Sequence, residues 1–119
     1  MWIAVIEDER PIREGLVHIL NKISPEYQVV GSAENGREGL ILLEEQDPDL
    51  ILLDIQMPDM NGLQMLKEAR ERGSMTKVVI LTAYSDFDYA KKAIALGIEN
   101  YLLKPVNLTE LKNTLSKIK

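Results

Sequence analysis

The run LILLD at residues 50–54 is built for burial, yet it ends on the carboxylate of Asp54. A buried charge is costly unless it is paired or bound to a metal. The run WIAVI (2–6) likewise passes straight into Glu7 and Asp8, KVVILT (77–82) closes on Thr82, and ENYLLK (99–104) closes on Lys104. Brought together, these side chains would make a restrictive set. Three clustered carboxylates repel one another, and oxygen ligands are what a hard divalent cation takes; Mg²⁺ in particular uses few protein carboxylates and shares phosphate oxygens. A carboxylate can itself act as nucleophile and form an aspartyl phosphate. The transferring phosphoryl group then needs cationic stabilisation of its oxygens, which Lys104 can supply while the Thr82 hydroxyl supplies a hydrogen bond. Singly, Thr82 and Lys104 are ordinary residues. Together with the acids they point to phosphoryl transfer.

Only one kind of scaffold would gather them. The 119 residues suffice for one domain, expected over residues 1–119, with a sizeable core. Five β-type runs, at 2–6, 27–33, 50–54, 77–82 and 99–104, alternate with five helical patterns. Three of the runs are almost wholly apolar, as in strands of a parallel sheet covered on both faces. The first helix carries the stripe Ile12, Leu16, Ile19, Leu20 and Ile23, with Pro11 suited to its first turn. The second spans roughly 36–46, with Asn35 and Glu38 as a cap pair. The third spans roughly 62–72 and stops at Gly73; the fourth spans roughly 87–96 and stops at Gly97. Asn107 and Glu110 open the fifth, whose stripe is Leu108, Leu111, Leu115 and Ile118. Strict alternation with short connections implies an α/β, flavodoxin-like, doubly wound sheet. The polar run 27–33 belongs at one edge and the short last run at the other, giving the order 2-1-3-4-5. In such sheets ligands bind beyond the carboxyl ends of the strands, where Glu7, Asp8, Asp54, Thr82 and Lys104 all fall.

Composition excludes other classes. Without cysteine there is no disulfide framework and no thiolate site. No apolar stretch reaches transmembrane length and no signal peptide precedes the first strand, so a cytoplasmic location without a membrane partner is expected. The net charge of −5 divides unevenly: residues 1–60 hold 4 basic and 13 acidic residues, residues 61–119 hold 10 and 6. This balance argues against DNA binding by the domain itself. His18, the only histidine, falls on the first helix and reads as a surface residue. The five methionines read as packing, and Lys91 and Lys92 as a solvated helix face.

Two other chemistries fail on the same residues. An FMN-binding protein of this architecture needs a Ser/Thr/Gly-rich phosphate loop after the first strand, where this chain has EDERP. An aspartate-nucleophile phosphatase usually carries a second Asp two residues after its nucleophile; Asp54 is followed there by Gln56.

Through VIEDE (5–9), LLDIQMPDMNG (52–62), ILTAY (80–84) and YLLKP (101–105), the chain resembles a response-regulator receiver domain of two-component signalling over its whole length. The resemblance implies a phosphorylation-activated switch, not an enzyme acting on other molecules, in which Asp54 accepts phosphate from the phosphohistidine of a sensor histidine kinase. It implies Mg²⁺, or Mn²⁺, held by Asp8, Asp54 and the main-chain carbonyl of Gln56, with Glu7 acting through water where the family more often has Asp. It gives the N–H groups of Gln56 and Ala83 to the phosphoryl oxygens, Lys104 and Thr82 to the phosphate, and Tyr101 to the switch that turns inward with Thr82. It also implies a cis Lys104–Pro105 peptide. The implied partners are the kinase, an output domain serving transcriptional regulation, and a phosphorylation-dependent second copy. Residues 82–106 resemble receivers that precede AraC-type DNA-binding domains. The competing reading is a phosphorylation-independent interaction module of the same fold, but such modules lose acids or the lysine that this chain keeps.

Overall fold

The computed structural model describes residues 1–118, leaving aside the side chains of Tyr84 and Phe87. Lys119, the last residue of the expected domain, lies outside the described residues. The strands are β1 (Trp2–Ile6), β2 (Gln28–Ala33), β3 (Leu50–Asp54), β4 (Lys77–Thr82) and β5 (Asn100–Leu103). The helices are α1 (Arg10–Ile23), α2 (Gly36–Gln46), α3 (Gly62–Glu71), α4 (Phe87–Ile94) and α5 (Leu108–Ser116). All strands run parallel in the order β2-β1-β3-β4-β5. The polar run takes one edge and the short run the other, as expected.

Alternation along each strand divides the core between two faces. Ile3, Val5, Leu50, Leu52, Val79 and Leu81 pack with Leu16 and Leu20 of α1 and with Leu111 and Leu115 of α5. Ala4, Ile6, Ile51, Leu53, Val78 and Ile80 pack with α2, α3 and α4 through Leu40, Leu43, Met65, Leu66, Ala69, Ala90 and Ala93. Burial on both sides is why β1, β3 and β4 lack the polar alternation of a half-exposed strand.

Local chemistry sets the helix starts. Asn35 accepts from Glu38 N–H at 2.9 Å and Asn107 from Glu110 N–H at 3.1 Å, as their spacing predicts. A third cap was not expected: Asn61 and Gln64 form a reciprocal capping box at α3, both bonds 2.9 Å. Gly73 and Gly97 have φ of +89° and +83° and end the helical paths.

Other details depart from expectation. α4 stops at Ile94 and follows a single 3₁₀ turn at Tyr84–Asp86. Leu108, assigned to the α5 stripe, is the first residue of that helix and stands 52% exposed. The methionines divide: Met57 and Met65 are buried, whereas Met75, in the loop before β4, is 83% exposed. His18, Lys91 and Lys92 are exposed as expected, with the Lys92 ammonium 5.6 Å from the Tyr89 ring centre. Among the described residues, no helix is long and apolar enough to cross a membrane.

Candidate functional site

The parallel register decides what meets at the carboxyl end of the sheet. Asp54 stands opposite Leu81, and Thr82 opposite Leu103, so β3, β4 and β5 finish at one level. Beyond β1, Glu7 N–H donates to Ala33 O at 3.0 Å, which draws the strand–helix bend inward. Glu7, Asp8 and Asp54 consequently offer carboxylate oxygens that all lie within 4.8 Å of one another. Glu7 is fully buried, Asp54 is 3% exposed and Asp8 is half-buried.

Lys104 holds this cluster from the β5 side. Its Nζ is 2.6 Å from Glu7 Oε1 and 3.1 Å from Asp54 Oδ1. The approach to Glu7 is an ion pair and not an aligned hydrogen bond, since Glu7 Oε1 is buried without an aligned donor. The Lys104–Pro105 peptide is cis, as the resemblance implied. From the loop after β3, the Gln56 N–H donates to Asp54 Oδ1 at 3.3 Å. The Gln56 side chain reaches across the mouth of the site and donates to Asp86 Oδ1 at 3.0 Å.

Two expected participants stand back. Thr82 is fully buried at the end of β4, and its hydroxyl donates to Ala83 O at 3.0 Å instead of to the acids. Tyr101 is half-buried against the face covered by α2, α3 and α4. Glu7, Asp8, Asp54, Gln56 and Lys104 are thus brought together, while Thr82, Ala83 and Tyr101 form the flank towards α4.

Charge sharing in the cluster is unequal. Burial pushes the Asp54 carboxyl up to about 8, reinforced by the hydrogen-bonding, negatively charged Glu7 and opposed by Lys104. Burial also disfavours Glu7 ionisation, but Asp54 and Lys104 outweigh it and hold Glu7 below the usual carboxylate range. Lys104 is raised: burial works against its charge, and Glu7 and Asp54 overcome it. At neutral pH Asp54 keeps its proton while Glu7 and Lys104 stay charged.

The donor set suits a divalent cation. It has three convergent carboxylates and a buried oxygen on Glu7 that lacks an aligned donor. A cation must displace the Asp54 proton. Mg²⁺ affinity is therefore expected to rise with pH up to about 8 and to level off above, with proton release at pH 7. Calorimetry in buffers of different ionisation enthalpy measures this; a pH-independent affinity would contradict the protonated Asp54.

Sequence reasoning missed the Gln56–Asp86 bridge and the side chain of Arg13, which donates to Glu7 O at 2.8 Å. Arg13 could have been noticed, since it lies one helical turn after the acids.

The response regulator receiver domain family matches residues 3–116. Transcriptional regulatory protein YdfI of Bacillus subtilis is 35% identical over 95% of this chain and 52% of its own length. The nitrate/nitrite response regulator protein NarL of Escherichia coli is 36% identical over 95% of the chain and 52% of its length. The REC domain of AraT, a response regulator from Geobacillus stearothermophilus, superposes with a TM-score of 0.88 at 35% identity, covering 98% of this chain and 90% of that one. A DNA-binding response regulator of the LuxR family from Staphylococcus aureus superposes with a TM-score of 0.88 at 30% identity over 98% and 96% of the two chains. The output class named for the Staphylococcus aureus protein is the LuxR family, and none of these names tests the AraC-type likeness of residues 82–106. The chain spans between 32% and 53% of the length of the curated relatives YdfI, YesN and YhcZ. With its motifs at the strand ends, its strand order and this match over almost its whole length, the chain belongs to the response regulator receiver domain family.

Proposed function

We propose that this domain is a phosphorylation-activated switch in which Asp54 takes a phosphoryl group from the phosphohistidine of a sensor histidine kinase. The observation that carries the reading is the placement of Asp54. It is a buried carboxylate on a rigid strand end, 3.1 Å from an ammonium and 3.3 Å from a main-chain N–H, with two further carboxylates beside it. A carboxylate oxygen of Asp54 attacks phosphorus, the N–P bond of the donor breaks, and the imidazole leaves with the bonding pair. Lys104 stands where it can shift from Asp54 to a phosphoryl oxygen, and the N–H groups of Gln56 and Ala83 and the Thr82 hydroxyl complete the donors. Asp8, Asp54 and the Gln56 carbonyl would hold Mg²⁺ or Mn²⁺, with Glu7 acting through water; the bound ion supplies positive charge against the carboxylates and the phosphoryl oxygens. The domain acts on its own side chain and on no other substrate.

Signalling would follow from the flank. The phosphoryl group adds about −1.5 to −2 charges at this rim. Thr82, now bonded to Ala83 O, turns towards it, and Tyr101 follows into the vacated space. The surface formed by α4, β5 and α5 is thereby remodelled for an output domain or a second copy. The relatives' names support transcriptional control through a DNA-binding output domain, while this domain itself binds no DNA. A cytoplasmic setting fits a kinase partner.

The test is incubation with Mg²⁺ and a small phosphoramidate donor, followed by intact-mass measurement and site mapping. One phosphoryl equivalent on Asp54 is expected, and none in Asp54→Asn. Thr82→Ala should still be labelled but should lose the NMR shifts on α4. Equal labelling of Asp54→Asn would sink the assignment.

A further inference from the structure

Glu7 and Asp8 leave β1 and enter α1 within three residues. The first helical bond of α1, from Arg13 N–H, goes to Glu9 O at 2.9 Å. The carbonyls of Glu7 and Asp8 lie before it, past the end of the β1 ladder. Here the half-buried Arg13 side chain turns back one helical turn. Its Nη1 donates to Glu7 O at 2.8 Å and, more loosely, to Asp8 O at 3.4 Å. From the other side, Glu7 N–H is fixed to Ala33 O on β2 at 3.0 Å.

We infer that Arg13 is a positioning residue for the acidic site. It holds the two peptide units that carry two of the three clustered carboxylates, and it does so through main-chain oxygens, leaving the carboxylates themselves available to a cation. The inference rests on reading the cluster as the cation-dependent phosphoacceptor site. The physical need is plain. Three carboxylates within 4.8 Å repel, and a loop of three residues between strand and helix relaxes by splaying them unless its backbone is restrained. Both contacts come from the one nitrogen Nη1, whose N–H donors are fixed in the guanidinium plane, whereas those of an ammonium rotate freely.

Groups that orient a metal's ligands typically change affinity by about 10- to 100-fold when removed. Arg13→Met is therefore expected to weaken Mg²⁺ binding by about tenfold. At saturating Mg²⁺ the maximal rate of Asp54 labelling should be retained, because nucleophile and lysine are untouched. Arg13→Lys should restore part of the affinity. The measurements are Mg²⁺ calorimetry, urea unfolding in a chelator, and labelling by a phosphoramidate across Mg²⁺ concentrations, on wild type and both variants. A bare counter-charge role predicts the opposite sign, since removing a cation beside the site would tighten Mg²⁺. Equal or tighter binding by Arg13→Met would overturn the inference. So would a lowered maximal rate, or an unfolding loss with the Mg²⁺ requirement unmoved. A wild-type chain that neither binds Mg²⁺ nor labels at Asp54 would instead overturn the phosphoacceptor reading, and this inference with it.

Discussion

Lys104→Met is expected to destabilise the cation-free fold by about 3 kcal/mol at neutral pH, even though methionine fills similar space. The ammonium is the counter-charge of Glu7, 2.6 Å away, and stands 3.1 Å from the protonated Asp54. Without it, two carboxylates face each other where neither is more than 3% exposed. One must keep its proton and the other must hold an uncompensated charge, so both folded pKa values would lie above the unfolded values near 4. The sign follows from proton linkage. A folded state that binds more protons than the unfolded chain loses stability as pH rises. The deficit should thus be small near pH 4 and grow through neutrality. Asp54→Asn predicts the reverse on its own. Asp54 already sits at about 8 in the native chain, chiefly through burial, so it weakens the fold increasingly between pH 4 and pH 8. The amide removes that burden and should stabilise by on the order of 2 kcal/mol at pH 7. Combining the two changes should recover much of the lysine's loss. Urea unfolding of the four proteins at pH 5 and pH 7.5 measures the cycle. A Lys104→Met deficit independent of pH would contradict the counter-charge role.

That cycle also separates what the sequence made legible from what it hid. Asp54, Glu7 and Asp8 were legible because each interrupts a pattern: an apolar run that should continue ends on a charge. The strand order was legible because β2 is polar and β5 short, and both properties belong to edges. The caps at Asn35 and Asn107 were legible from spacing, and the capping box at Asn61 and Gln64 has the same signature and was simply not read. Leu108 misled because a helical stripe does not say where its helix begins; at the first position of α5 the side chain points clear of the core. The resting positions of Lys104 and Thr82 were not legible. Sequence gives the lysine a role towards phosphate, but only the closeness of β1 and β5 to the end of β3 shows that it rests on Glu7 and Asp54. Arg70 was hidden for a similar reason. Its guanidinium donates to Leu96, Ser74, Thr76 and Gly97 carbonyls between 2.7 and 3.0 Å, tying the ends of α3 and α4 together. Main-chain acceptors leave no residue-type signature in a sequence.

Gly62 combines the legible and the hidden, and its replacement carries the largest expected loss of stability. Sequence marks it as the residue after Asn61 where α3 starts, which suggests a turn residue with special backbone freedom. The structure gives another reason. A Cβ at Gly62 would lie 2.2 Å from Asp54 O, 2.9 Å from Ile55 Cα and 3.0 Å from Asp54 C. All three are backbone atoms, so no side chain can swing away to make room. The close approach is fixed by Gly62 N–H donating to Ile55 O at 3.0 Å and by the capping box that follows. Gly62→Ala must therefore push α3 away from the end of β3, breaking these bonds and opening the packing of Met65 and Leu66 against the sheet. A cost of about 3 kcal/mol or more is expected, with a melting temperature lower by roughly 10 °C. Any folded remainder should label slowly, because the displaced carbonyl belongs to Asp54 itself. Gly15→Ala is the control: it lies inside α1 with nothing within 4 Å of the added Cβ, and should gain about 0.5–1 kcal/mol from helix propensity. Thermal unfolding of the two variants beside wild type decides the matter. A Gly62→Ala protein as stable as wild type would mean that the first turn of α3 is not seated against Asp54.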